Sequence, residues 1–281
     1  YGLDLNYSSL NIIRAGSNAK IISGNKEAFK YSRSSIDIVN STDLTKDDSI
    51  NYDFLNALEG FSDYEVGVSN YLEMYEGQLN KSVTFNGYII LIEGKLGIAS
   101  PNNEDTTINA RSGINIDGGI QMQGKGTLNL ITDGEIGLSD TKLDMGEGNL
   151  NMVAQNLKVF GNSQVSGMGN LYLNTAVTNA SRPIILGSTG GDDYTLYIKP
   201  EYFRSGGLFS NLKGRVYIGL LPDDTITNAP ILLTGSTNIN NELYLATQYD
   251  IQGDPGSSLN TNGNNLYLIS KYGMIDLLWT A

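Results

Sequence analysis

The sequence predicts an all-β fold, a β-solenoid with three strands in each turn of about 21 residues. Residues 106–171 carry the pattern most plainly. TTINARSGINIDGGIQMQGKG, TLNLITDGEIGLSDTKLDMGEG and NLNMVAQNLKVFGNSQVSGMG are successive copies of one unit, and NL begins a fourth. Within each copy three short segments alternate apolar with polar residues, the period-two signature of strands buried on one side. The composition agrees, since 33 glycines, 6 prolines and 17% charged residues suit many strands closed by frequent turns and not long helices.

Residues 1–82 read as the irregular N-terminal part of the solenoid, with strands in NIIRAGSNAKIISG and SIDIVNST. Residues 44–78 hold eight acidic residues against one lysine and no repeat, so they read as a solvated insertion. Inside it, Asp53 to Leu58 has the spacing of a helical turn, with Leu55 and Leu58 on a common side. The regular β-helix is expected over 83–281, opening with VTFNGYIILIEGKLGIAS.

Laying the copies over one another gives three inward columns. The first holds Ile108, Leu128, Leu150 and Leu171, beside Ala110, Leu130, Met152 and Leu173. The second holds Ile114 and Ile116, Ile136 and Leu138, and Leu157 and Val159. The third holds Ile120 and Met122, Leu143 and Met145, with Val165 and Met168 a looser match. Asn109, Asn129, Asn151 and Tyr172 lie between inward residues and are expected to face solvent. Gly113, Gly119, Gly134, Gly148 and Gly169 fall at the corners.

After residue 174 the period loosens. TLYIKP, RVYIGLL, ELYLATQYDIQG and NLYLISKYGMIDLLW still supply a strand every 20 to 27 residues, with ILLTGS between two of them. Surplus residues are expected to bulge as loops, where insertion costs the core least. The apolar Leu277, Leu278 and Trp279 are expected at a cut in a longer protein or at a surface for a next subunit. About ten to thirteen rungs at ~4.8 Å predict a rod of roughly 50 to 60 Å.

Composition also narrows the function. A net charge of −12, with 18 scattered basic residues, repels a phosphate backbone, so nucleic acid is not an expected partner. No apolar run reaches the ~18 residues of a bilayer span, so no membrane insertion is expected. With no cysteine and no histidine, thiolate and imidazole chemistry are absent, and neither a metal nor a cofactor is expected. Acidic pairs occur at Asp47 and Asp48, Glu104 and Asp105, Asp192 and Asp193, and Asp223 and Asp224. Paired carboxylates serve polysaccharide-cleaving enzymes, but all except the first pair directly follow Gly, Asn or Pro, where aspartate is favoured for turn chemistry. Calcium would need an EF-type loop or a Gly-Gly-x-Gly-x-Asp array, and neither is present. The chain is therefore expected not to be an enzyme.

Tyrosines recur between inward apolar residues: Tyr172, Tyr197, Tyr217, Tyr244 and Tyr267. In common register they would form an outward ladder. Such a ladder suits stacking on sugar rings or packing on a neighbouring fibre. Equally, tyrosine is a good strand residue that stacks on its own kind between rungs. Asn-x-Ser/Thr sequons begin at Asn6, Asn40, Asn80 and Asn179, a number that chance supplies in so Asn-rich a chain.

The repeats, with ASRPIILGSTGGDDYTLYIKPEYFRSGGLFSNLKGRVYIG at 180–219, resemble the shaft of filamentous-haemagglutinin-like bacterial surface proteins. The opening Arg182, Pro183, Ile184, Ile185, Leu186 and Gly187, the strand Leu196, Tyr197 and Ile198, and the close Val216, Tyr217, Ile218 and Gly219 carry the likeness, which extends over roughly residues 83–275. That family's secretion domain has paired Asn-Pro-Asn motifs, which do not occur here. The resemblance implies a right-handed parallel β-helix and a secreted protein of the bacterial cell surface that works as an adhesin or structural fibre. Expected partners are a host or neighbouring-cell glycan or protein, or other copies of the chain. The alternatives are a polysaccharide-degrading β-helical enzyme and a self-assembling filament or sheath subunit.

Overall fold

The computed structural model describes residues 3–4, 21–22, 29–39, 49–59, 61, 63–99, 102–176 and 182–277. They form a parallel β-solenoid of about 9 turns with a spacing near 22 residues, so at ~4.8 Å per rung the stack is roughly 40 Å tall. The paired strands of the named ladders all run parallel.

Each regular turn has three faces. The first runs from Leu3–Asp4 and Phe29–Arg33 through Tyr64–Val68, Thr127–Thr132, Asn149–Val153, Leu171–Asn174, Val216–Ile218 and Leu243–Thr247 to Leu266–Ser270. Thr84–Ala99 and Thr106–Gln123 are long enough to bend round all three faces of two successive turns. Leucine, isoleucine, valine and phenylalanine fill the interior: Phe85, Ile108, Leu130, Leu150, Leu171, Val216 and Leu243 are wholly buried. Phe85, Ile108 and Leu130 stack in one run, and Leu150, Leu171, Val216 and Leu243 in another, which removes apolar surface from water along the axis.

The second column is as expected, with Ile114, Ile136 and Leu157 in register, and Ile116, Leu138 and Val159 beside them. The first is displaced by two residues at one step: Leu128 pairs with Thr106, and Ile108 pairs with Leu130. A slip of two leaves every side chain on its expected side, which is why alternation alone does not detect it. It also seats Thr106 in the apolar column, buried and with no hydrogen-bond partner for its hydroxyl. Thr106→Val is expected to raise stability by about 1 kcal/mol, read as a higher urea midpoint; a lower midpoint would show the hydroxyl to be satisfied. In the third column Val165 is buried but Met168 is exposed, because the strand Gln164–Gly167 ends at a glycine with φ 148°. Asn151, expected in solvent, is buried, its amide donating to Asn129 Oδ1 at 2.8 Å and Tyr172 next to it in register.

The abundance of Asn and Asp has a repeated structural use. At corners, where the backbone ladder lapses, a side-chain oxygen accepts the N–H of the next rung: Asn103 from Lys125, Asp105 from Thr127, Asp140 from Asn162, Asn149 from Asn170, Asn170 from Arg215 and Asp250 from Met274. These satisfy donors that would otherwise be stranded between turns. The corner before the first face is also lined by Gly126, Gly148, Gly169 and Gly214, each with its Cα against a main-chain carbonyl of the turn below.

Two stretches depart from the expected organisation. Residues 44–78 are not one insertion. Tyr64–Val68, Tyr71–Met74 and Gly77–Leu79 pair with the three segments of Thr84–Ala99 and so make a full turn of the coil. Their acidic and tyrosine residues lie between inward Val66, Val68, Leu72, Met74 and Leu79. Ser49–Asn51 pairs with Ile36–Val39, and the helix Tyr52–Ala57 (α1) follows, capped by Asn51 Oδ1 accepting from the Phe54 N–H. It buries Tyr52 and Leu55, with Leu58 just beyond, so this piece packs into the core. Asn56 completes the join, its amide donating to the Gln78 carbonyl and its oxygen accepting from the Asn80 N–H. Residues 44–48 lie outside the described residues.

The second departure lies on the second face. Leu196–Ile198 packs beside Asn156–Phe160, and Ile184–Leu186, earlier in the chain, lies one rung further on, between Leu196–Ile198 and Ile231–Leu233. The chain thus climbs past a level and returns to it. Tyr202, on the 3-10 turn Pro200–Tyr202, is buried with Phe203, Leu208 and Phe209 and donates its hydroxyl to the Leu157 carbonyl at 3.0 Å.

Candidate functional site

Four of the five singled-out tyrosines share one column. Tyr172 pairs with Tyr217, Tyr217 with Tyr244 and Tyr244 with Tyr267. Their ring centroids are 4.7, 4.6 and 4.3 Å apart at interplanar angles of 8°, 24° and 10°. Tyr197 does not belong. It sits on the second face paired with Ile185, because its strand enters the sheet that contains Ile184–Leu186. The Leu-Tyr-apolar signature is the same on both faces, so only the register separates them.

Stacking at this distance means that each ring covers the face of the next. The ladder therefore offers solvent a strip of ring edges and hydroxyls, and stacking on sugar rings, one of the readings the sequence leaves open, has no free faces between successive rungs to use. The column continues below Tyr172 through Asn151, Asn129 and Thr107. Beside the tyrosines runs a polar rail of the residues that immediately precede each strand, two before each tyrosine: Asn170, Arg215, Glu242 and Asn265. Arg215 Nε lies 2.7 Å from Glu242 Oε1, and Asn265 donates to Glu242 Oε2 at 3.2 Å. Tyr244 donates its hydroxyl to Glu242 Oε1 at 2.9 Å, and the Arg215 guanidinium stands 6.0 Å from the Tyr244 ring centre. Glu242 is held below the usual carboxylate range chiefly by the Tyr244 hydrogen bond. Tyr244 is pushed up to about 12, by desolvation and then by that same bond.

The described acidic pairs do turn work. Asp192 accepts from the Tyr194 N–H at 2.8 Å and the Thr195 hydroxyl at 3.0 Å, and pairs with Arg182, while Asp193 pairs with Lys158. Asp223 accepts from the Thr225 N–H, Asp224 has φ 64°, and Asp105 bridges rungs. Asp47 and Asp48 lie outside the described residues, as do Asn6, Asn40 and Asn179; Asn80 is exposed. Among the described residues no group of three or more acidic side chains is placed to hold a metal, and no helix is long and apolar enough to cross a membrane.

Asp192 and Asp223 are held down mainly by the backbone N–H groups of Tyr194 and Thr225, so with Glu242 they form a set whose folded pKa values are depressed. Such groups add stability above their unfolded values, about 4, and lose it as pH falls through the folded ones. Thermal scans are expected to show a steady Tm from pH 7 to about 5 and a decline below about 4, with Asp192→Asn flattening part of it; an unchanged slope in that variant would refute the assignment.

No protein-family model matches this chain, and no curated protein or solved structure matches it either.

Proposed function

We propose that this chain is a stretch of a secreted bacterial surface protein, an adhesin or structural fibre in which the β-solenoid is a rigid spacer and the tyrosine face a contact surface for a host or neighbouring-cell glycan or protein. The observation that carries the reading is the ladder Tyr172, Tyr217, Tyr244 and Tyr267 with its rail Asn170, Arg215, Glu242 and Asn265. Amphipathic ring edges beside fixed polar groups favour contact with polar, partly apolar surfaces. Rigid presentation spares the ordering cost that a flexible site would incur on binding. The local likeness of 180–219 to haemagglutinin shafts points the same way.

The test is attachment of the labelled chain to host cells, beside a variant with all four ladder tyrosines changed to threonine, which keeps strand propensity. The expected result is saturable attachment that falls at least about tenfold in the variant, a loss of about 1.4 kcal/mol. Equal attachment by both would remove the tyrosine face from the proposal. Absence of attachment by the wild-type chain would remove the adhesin.

A further inference from the structure

We propose that the tyrosine ladder is also a site of oxidative cross-linking: given hydrogen peroxide and a haem peroxidase, Tyr244 and Tyr267 join by a carbon–carbon bond that ties two successive turns together. Coupling two phenols needs two partners already in contact and a place for the protons to go. Tyr244 and Tyr267 are the tightest pair of the ladder, 4.3 Å between centroids and within 10° of parallel. Tyr267 is 39% exposed and so open to an external oxidant.

Tyr244 has the second requirement. Its hydroxyl already donates to Glu242, and that carboxylate is oriented by Arg215 and Asn265. A phenol this reluctant to ionise enters one-electron oxidation with its proton still attached, and a hydrogen-bonded carboxylate is a ready acceptor for it. Tyr244 stacks on Tyr217 as well, but that pair is wider, at 4.6 Å and 24°, and Tyr217 is less exposed than Tyr267. Tyr75 donates to Glu73 at 2.7 Å but stacks on no other tyrosine. Tyr249 and Tyr272 are exposed on successive turns, yet they do not stack.

The balance closes. Each phenol gives up one electron and one proton, and the two phenoxyl radicals combine at ring carbons ortho to oxygen. The hydrogens on those carbons move to the oxygens, which restores both phenols. The peroxidase passes the two electrons to hydrogen peroxide, which with two protons becomes two molecules of water. The protein loses two hydrogens. Holding the radicals side by side replaces a diffusional encounter with an intramolecular step, an advantage that reaches effective molarities of about 10⁵ M or more in well-oriented systems.

The experiment treats the dilute chain with a haem peroxidase and hydrogen peroxide and follows dityrosine fluorescence, intact mass and the linked peptides. The expected product is a monomer lighter by two hydrogens, with the strand Leu243–Thr247 joined to Leu266–Ser270. Tyr267→Phe, which keeps the stack, is expected to abolish that link, and Glu242→Gln to slow it about tenfold, equivalent to about 1.4 kcal/mol. Tyr249→Phe with Tyr272→Phe is expected to leave it unchanged. Products that are only intermolecular, or a dominant link between Tyr249 and Tyr272, would overturn the proposal. A Glu242→Gln variant that reacts at the wild-type rate would overturn the role of the carboxylate. Cell attachment does not enter any of these readouts, so the two proposals fail separately.

Discussion

Replacing Gly169 by alanine is expected to destabilise the middle of the rod by about 3 kcal/mol, the upper end for overpacking. A Cβ at this position would overlap the Gly148 carbonyl oxygen and lie 3.0 Å from the Asn149 nitrogen. Both obstacles are backbone, so no rotamer relieves them. The same arrangement recurs at Gly126, Gly148 and Gly214, so the turns can separate only by breaking the Asn149 to Asn170 bridge and the strands it introduces. Gly67→Ala is the control, since its nearest obstacle is the Tyr31 carbonyl at 3.9 Å, and it is expected to cost less than about 1 kcal/mol. Urea midpoints compare the two. Equal midpoints would mean that the glycine column reflects composition and not close approach.

Leu150→Ala is expected to cost about 3–4 kcal/mol, within the range for a wholly buried leucine whose surroundings cannot collapse. Leu150 lies between Leu128 and Leu171 in register, and all three are fully buried. A solenoid turn touches mainly its neighbours, so the damage should be local. Hydrogen exchange is expected to accelerate in Thr127–Thr132, Asn149–Val153 and Leu171–Asn174, with little change in Phe29–Arg33. Uniform acceleration along the chain would instead show the rod to be one cooperative unit.

The coil was legible in the sequence because its strands are half-buried and its corners recur. Ile114, Ile136 and Leu157 align in the chain as they do in space. What alternation leaves open is register, since a slip of two residues preserves every inside and outside assignment, as Thr106 and Leu128 show. Turn length was the second obstacle. Leu171 to Val216 is one step in the first face although 45 residues separate them, because the chain inserts Ile184–Leu186 and Leu196–Ile198 on the way. That is why Tyr197 looked like a member of the ladder. In residues 64–79 the inward residues include Met74 and Val66 among acidic and tyrosine neighbours, so the apolar alternation of a full turn was hidden by unusual outward residues. The stacking of the tyrosines was foreseen as one of two readings, but the loss of their free faces follows only from ring separation.

The order of strands on the second face constrains how the rod is assembled. A thread wound onto a spool never has to leave a gap, but here Ile184–Leu186 belongs one storey above Leu196–Ile198, which is synthesised after it. Winding that proceeds strictly from the first residue to the last would lay Ile184–Leu186 directly on Asn156–Phe160 and shut out its successor. Leu196–Ile198 follows twelve residues later to fill this storey, and Tyr202, whose hydroxyl reaches the Leu157 carbonyl, ties the turn after it to the strand beneath.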